Sequence, residues 1–600
     1  MIKFFILFLS VFFYNISVAQ ENNTLEEELK KVIGSENLTG AVWSTVKDGV
    51  VTSGAIGLKN SDTKEILEND DRVLIGSVTK TLIATGILHL ASRGKLDIDA
   101  PVYKFSTNIT FNNPWRESNP VTIRDLLNHT AGIEDSRFWQ VFSTQSTSTT
   151  PLEYLFTKNP YVLKVRTIPG TRFSYSNMGY SFLGLIIEKV TKKPYETYLD
   201  KNLLVPLGMK NSTFQFTSQK GKNIDKHLAM GHFDNGKTQE NIPMFLRPAG
   251  QFTTTAKDMA KFAKFLMSNG TIDGKLFIDK ALLNQMGSPT STESYKNGLK
   301  SGYQFGLSYR DRYGVVGKFH RGNTTGYIAT FYLFPEQKKA FFISFNTDSE
   351  TANYEKFNAI LINHLEVNKP EQLNVKENLP SNIEEFEGYY KMKPVRFKLF
   401  AYLDLLFNSI KVEKKNNSLL VKSIQKETYT ILPVDRNLLR KEDRVNSSHV
   451  LYKNGNVAII SDGLVTYEKV NTTYLVLMWL SLILGLIGII FIFLRGFYFL
   501  FQKKLFKKHQ VITFPFLSIL GLLIPIPFLL NQSFLNLGDF TLANVLLAIV
   551  TGVLPIAMIF GSLKIWRNKT FTIDAIGTLC ILQWAVVLIY WGVFPFRLWH

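Results

Sequence analysis

Four apolar runs close this chain, at residues 474–494, 511–530, 542–563 and 571–594. Each is near the roughly 20 residues that a helix needs to cross a bilayer, so the last 130 residues cannot belong to one soluble globule. Arg495, Lys503, Lys504, Lys507 and Lys508 lie between the first and second runs, and Lys564, Arg567 and Lys569 between the third and fourth. Residues 531–541 contain neither lysine nor arginine. The positive-inside rule therefore places both basic loops in the cytoplasm and the long N-terminal region on the outer side of the cytoplasmic membrane. The opening MIKFFILFLSVFFYNISVAQ, with Lys3, an apolar stretch over 4–13 and small residues at Ser17 and Ala19, reads as a signal peptide of residues 1–19 and demands the same orientation.

The chain has 600 residues and a formal charge of +19. Nine lysines and arginines against two aspartates after residue 470 supply a good share of that excess. No basic motif interleaved with aromatics stands in the remainder, and an exported domain does not meet nucleic acid, so the charge reads as a solvated surface near an anionic membrane. The single cysteine, Cys580, lies in the apolar tail, and the exported region must fold without disulfides. No H-E-x-x-H occurs, and His227 with His232 reads as solvated rather than metal-binding. No cofactor is expected.

Within the exported region a single stretch stands out, residues 72–95, RVLIGSVTKTLIATGILHLASRGK. A short apolar run ends at Gly76, and Ser77 opens a helix that is apolar on most sides and should be buried. Lys80 lies one turn on, on the same face as Ser77. An amine held beside a hydroxyl in a dry site loses its charge and can serve as the base that makes serine a nucleophile. The spacing S-x-x-K recurs at Ser44, Ser61, Ser92 and Ser423, but those sit in a hairpin, a polar turn, a helix end and a strand-like segment. Only Ser77 begins a buried helix.

Along the rest of the chain, residues 38–57 alternate as a hairpin, and Tyr175-Ser176-Asn177 precedes a helix. Segments 303–309, 314–319, 327–334 and 340–345 read as strands of an antiparallel sheet, with His320-Arg321-Gly322-Asn323 between them. His129, beside Thr130 and Gly132, reads as a turn or packing residue. Residues 369–382 are polar and contain Pro370 and Pro380, a linker; 383–470 are short strands, a small β domain.

Ser77-Val78-Thr79-Lys80, Tyr175-Ser176-Asn177 and His320-Arg321-Gly322, with NHTAGI, PGTRFSYSNMGY, PLGM and PAGQF, resemble the serine β-lactamase and penicillin-binding-protein family, and within it the class C branch with its D-alanyl-D-alanine carboxypeptidases and esterases. The resemblance implies an α+β fold, a β-lactamase/transpeptidase-like domain over 20–368 in which an antiparallel sheet is flanked by helices and a helical lobe. The small β domain and a four-helix transmembrane tail over 471–600 follow it. It also implies that Ser77 attacks a carbonyl to form an acyl-enzyme, with Lys80 and Tyr175 sharing the proton. Asn177 would bind the substrate amide and Lys80, the backbone N–H groups of Ser77 and Asn323 would form the oxyanion hole, and Gly322 would let substrate lie against the strand. His320 takes the place of the family's usual lysine, with Lys300 in Lys300-Ser301-Gly302 the other candidate for that third element. Losing a permanent cation there lowers the expectation of β-lactam hydrolysis and favours esterase or D-amino-acid peptidase activity.

The expectation is thus an exported, membrane-anchored serine hydrolase acting on peptidoglycan-type D-Ala peptides, D-amino-acid peptides or small esters. The alternative is a penicillin-binding receptor that is acylated and signals through the helices, against which the two inner loops are too short to fold an output module.

Overall fold

The computed structural model describes residues 25–105, 108–158, 160–507, 510–568 and 572–599; the expected signal peptide, Lys508 and Lys569 lie outside them. The sheet that organises the first half contains β1 (Gly40–Lys47), β2 (Val50–Asn60), β3 (Glu65–Ile66), β4 (Tyr303–Gln304), β5 (Leu307–Arg312), β6 (Val315–Thr324), β7 (Tyr327–Phe334) and β8 (Lys339–Phe345), in the order β4-β5-β6-β7-β8-β1-β2-β3. All its pairings are antiparallel. β7 is buried along its whole length, YIATFYLF, because both faces of the sheet are covered. Alternate residues feed two cores. Ala329, Phe331, Leu333 and Phe342 point to the helical lobe, and Ile328, Tyr332, Phe334, Phe341 and Ile343 point to the helices of 25–35 and Glu355–His364. The hairpin expected at 38–57 is β1–β2. β6 runs five residues past the expected strand, so His320 to Thr324 stand on the strand itself.

The helical lobe holds α1 (Thr79–Ser92), α2 (Asn177–Thr191) and α3 (Ala256–Leu266). α1 is buried from Thr79 to Leu90, as its apolar circumference requires. α2 starts where the Ser176 hydroxyl accepts the Gly179 N–H, which fixes Tyr175 and Asn177 on either side of the cap.

The expected small β domain is a closed eight-stranded barrel running from Gly388–Met392 to Thr466–Lys469. Its interior is filled by alternate residues such as Ile410, Val412, Leu419, Val421 and Ile460. The barrel is fastened to the sheet-bearing domain by buried Arg172, which pairs with Glu293 (2.9 Å) and with Glu468 of the barrel (2.7 Å). The segment expected as a linker runs along the barrel, where Leu373 N–H donates to Val445 O and Lys376 N–H to Pro433 O.

Among the described residues, four helical segments are long and apolar enough to cross a membrane. They are α4 (Thr472–Phe501), a broken segment of α5 (Thr513–Gly521) and α6 (Ile526–Asn531), α7 (Leu542–Asn568) and α8 (Ile573–Tyr590). The second, expected as one run, is interrupted ahead of Ile526, where Pro525 and Pro527 remove backbone donors. α4 and α8 pack closely, with Ser481 and Gln583 exchanging hydrogen bonds and Arg495 pairing with Asp574 at 3.0 Å. One end of this bundle meets the sheet-bearing domain. Asp539, in the loop between α6 and α7, accepts hydrogen bonds from Ser143 and from the Thr144 N–H and hydroxyl, and Gly538 N–H donates to Phe142 O. A Cβ at Gly538 would stand 2.2 Å from the Trp139 Cα, so only glycine lets the two loops meet.

Candidate active site

The short strand Val73–Leu74 pairs with Thr253–Thr254 and delivers the chain to a tight turn, Gly76–Val78, from which α1 departs. Ser77 sits in that turn. Strand β6 is pressed against it: a Cβ on Gly322 would lie 1.8 Å from Ile75 O and 3.1 Å from Ser77 N. Here the structure corrects an expectation. The space Gly322 leaves is filled by the turn that carries Ser77 and not by substrate, and Gly322 does not line the cavity.

Ser77 Oγ accepts hydrogen bonds from Lys80 Nζ at 2.9 Å and from the Tyr175 hydroxyl at 2.8 Å. Lys80 is fully buried, and its second contact is a hydrogen bond of 2.7 Å to Ala249 O. Among the described residues no carboxylate pairs with it. Burial therefore holds its amine well below the ordinary lysine range, opposed by Asp135 and reinforced by Arg396. Burial pushes the Tyr175 phenol upward, so at neutral pH it keeps its proton. Beneath Tyr175 lies His129, 4.3 Å between ring centroids, whose Nδ1 accepts the Ser176 N–H at 3.1 Å. Burial and neighbouring Lys80 hold His129 neutral, a packing role in keeping with its position in a turn.

His320 is buried. Its Nδ1 stands 2.8 Å from Arg321 O and so carries the proton. Burial, then Lys80, push its pKa down to about 3, so the group at the lysine position is an uncharged imidazole. Arg321 also lines the cavity, its guanidinium 5.4 Å from the Tyr354 ring. Lys300 does not line the cavity. The expected Asn177–Lys80 hydrogen bond is not made: the Asn177 backbone and side-chain nitrogens donate to Asp135 at 2.7 and 3.3 Å, while Lys80 is bonded to Ser77 Oγ and Ala249 O. His232, expected to be solvated, is buried between Asn346 O and the Ser61 N–H.

Two contributors were not foreseen. Asp135 binds Arg396 at 2.7 Å, and Arg396 comes from the barrel domain, between its first strand and the helix Ala401–Phe407. The Arg396 guanidinium lies 4.6 Å from the centroid of the Tyr175 ring. A lone arginine 221 positions after Tyr175 carries no spacing signal, although the Glu134-Asp135 pair directly after NHTAGI could have drawn attention. The second is the bundle of apolar helices. Ser77, Tyr175, Asn177, His320, Asn323 and Arg396 line a cavity of about 900 Å³ whose wall also includes Phe534 and Leu535 from the α6–α7 loop. Phe534 packs edge-on against Phe233 and Phe142.

Residues 23–363 match the family described as Beta-lactamase, more than half of the chain. The chain belongs to this family. Its members share the serine-hydrolase scaffold. Protein flp of Staphylococcus aureus (strain MW2) is 28% identical over 359 residues, 58% of this chain and 68% of that protein. Among solved structures, that of SurE is similar with a TM-score of 0.51 and 20% identity, covering 75% of this chain and 99% of SurE. The octameric penicillin-binding protein homologue from Pyrococcus abyssi gives a TM-score of 0.47 at 22% identity, covering 74% and 99%. The fold is that of the β-lactamase/transpeptidase family, continued here by the barrel and the apolar helices.

Proposed function

We propose that this protein is a membrane-anchored serine hydrolase that works through an acyl-enzyme, with its catalytic domain on the outer side of the cytoplasmic membrane. The observation that carries this reading is the placement of Ser77 Oγ within hydrogen-bond reach of both a buried, charge-depleted amine and a phenol. Lys80 accepts the Ser77 proton as the oxygen attacks a carbonyl carbon. Tyr175, still protonated, hands its proton to the departing nitrogen or oxygen and is recharged from Lys80, and the same pair activates the water that releases the acyl group. The Ser77 N–H and that of Asn323, on the strand pressed against it, would hold the oxyanion, each such donor contributing about 2.7–4 kcal/mol in comparable sites.

The preferred substrates are D-Ala peptides, D-amino-acid peptides or esters, with little or no turnover of β-lactams. With its one proton committed to Arg321 O, a neutral His320 offers a substrate carboxylate neither charge nor a donor, and its free Nε2 can only accept. Arg396, half-exposed and only partly engaged by Asp135, is the cation of the cavity wall that lies beside the Tyr175 ring, with Arg321 the other arginine of that wall. A fluorophosphonate or fluorescent penicillin should label the wild type and leave Ser77→Ala unlabelled; equal labelling would remove Ser77 from its role. Slow deacylation with acyl-protein accumulating would instead favour a receptor.

A further inference from the structure

A second concavity, of about 590 Å³, lies behind the catalytic one, where the exported domain, the barrel and the end of α8 converge. The wall between the two is a pair of short segments. Asp135 and Arg396 face the catalytic side, while their neighbours Glu134 and Lys398 face the other, tied by the Asp135 N–H to Arg396 O and the Lys398 N–H to Glu134. Six cationic side chains line this second site: Arg137, Lys158, Lys164, Arg166, Lys398 and Arg597. Its one carboxylate, Glu134, is already bound to Arg137 at 2.9 Å and to the Lys398 N–H at 2.7 Å. The other five cations have no ion pair among the described residues. Nε and Nη2 of Arg166 and Nε of Arg137 are buried without a hydrogen-bond partner. A guanidinium cannot shed its charge to relieve that situation, so the cluster is built for an anion with several oxygens.

We propose that this is a binding site for the phosphate group of an anionic membrane lipid. The position supports a lipid over a free ion. The floor is formed by residues directly after the last apolar helix, including Pro595 and Leu598, and Phe400 forms an apolar flank. A headgroup at the bilayer surface would reach the arginines while its glycerol and acyl portion stayed against these residues. The inference rests on α8 spanning the membrane and is independent of the hydrolase chemistry.

The test uses the full chain in mild detergent, with phosphatidylglycerol, phosphatidylcholine and inorganic pyrophosphate as probes. Native mass spectrometry and thermal melts are read for wild type, for Lys158→Gln/Lys164→Gln (both exposed), for the same pair with Arg166→Gln, and for Lys414→Gln/Lys415→Gln as an equally charge-reduced control on the barrel surface. Wild type and control should hold one more phosphatidylglycerol than the site variants, whose affinity falls about tenfold or more, with no difference for phosphatidylcholine. Pyrophosphate should displace that lipid from wild type. Equal retention by site variants and wild type, or no preference over phosphatidylcholine, overturns the proposal; stabilisation by pyrophosphate without displacement of lipid assigns the cluster to a free phosphate and overturns the lipid.

Discussion

Replacing Arg396 with glutamine asks whether a charge borne by the barrel tunes the base that serves Ser77. The Arg396 guanidinium and Lys80 Nζ lie 4.6 and 5.0 Å from the same Tyr175 ring centroid, so they are at most about 9.6 Å apart. At that limit and an effective dielectric of about 20 their repulsion is roughly 1.7 kcal/mol, a little over one pKa unit. The Arg396 side chain is 48% exposed, and solvent screening reduces this direct effect to about half. Asp135, fully buried and left without its cation, then pulls the Lys80 pKa further in the same direction. Removing Arg396 therefore raises the Lys80 pKa by about one unit. Because the reaction needs the neutral amine, the rise of kcat/KM with pH moves about one unit to the alkaline side, and on that limb the rate falls about tenfold. The assay is a pH profile of p-nitrophenyl ester hydrolysis by the full chain, and Arg396→Lys should recover most of the shift. Superimposable profiles for wild type and Arg396→Gln, differing only in height, would refute the electrostatic reasoning.

Tyr175→Phe should lose most of the esterase rate while leaving the melting temperature nearly unchanged; full activity would take the phenol out of the proton path. Gly322→Ala forces a methyl into Ile75 O and should cost at least about 3 kcal/mol; a melting temperature equal to that of wild type would contradict the packing described. Burial, with Glu196 and Glu153 nearby, pushes the Glu188 carboxyl up to about 7. A raised carboxyl pKa penalises the folded state above that value and not below about 4.5, so stability should rise as pH falls through this window, by about 1–2 kcal/mol after discounting for partial exposure. Glu188→Gln should flatten that dependence in denaturant titrations, and an unchanged slope would argue against it. Asp539→Ala removes the acceptor for Ser143 and Thr144 and should speed chymotryptic cleavage near Phe142; an unaltered digestion pattern would show that the loop is held by other contacts.

What could be read from the sequence divides along the range of the interactions. The α1 helix, its apolar circumference and the proximity of Ser77 and Lys80 are local, and the structure has them, although α1 starts at Thr79 and Ser77 stands in the turn just before it. The hairpin of β1 and β2 and the strand pattern from Tyr303 to Phe345 followed from alternation, though alternation says nothing of where β6 ends. Tyr175 came within reach through a resemblance of motifs. Asp135 and Arg396 did not, because their partnership spans 261 positions and, although Asp135 follows the NHTAGI motif, nothing local marks Arg396 as its partner. Gly322 was legible as a glycine that something approaches closely, but not that the approaching group is Ile75 O. The closure of eight short strands into a barrel, and the docking of the α6–α7 loop on residues 142–144, are likewise consequences of long-range fit that no window of sequence contains.

The arginine lent to Asp135 has a practical consequence for anyone cutting this protein at its apparent seams. A fragment stopped near residue 368 retains Ser77, Lys80 and Tyr175, yet strips a buried carboxylate of its counter-ion and opens the flank on which the tyrosine ring rests. Such a truncate would report on a more sluggish and more fragile catalyst than the intact chain. Adding back the polypeptide through residue 470 is the shortest extension that restores the missing charge in its own setting.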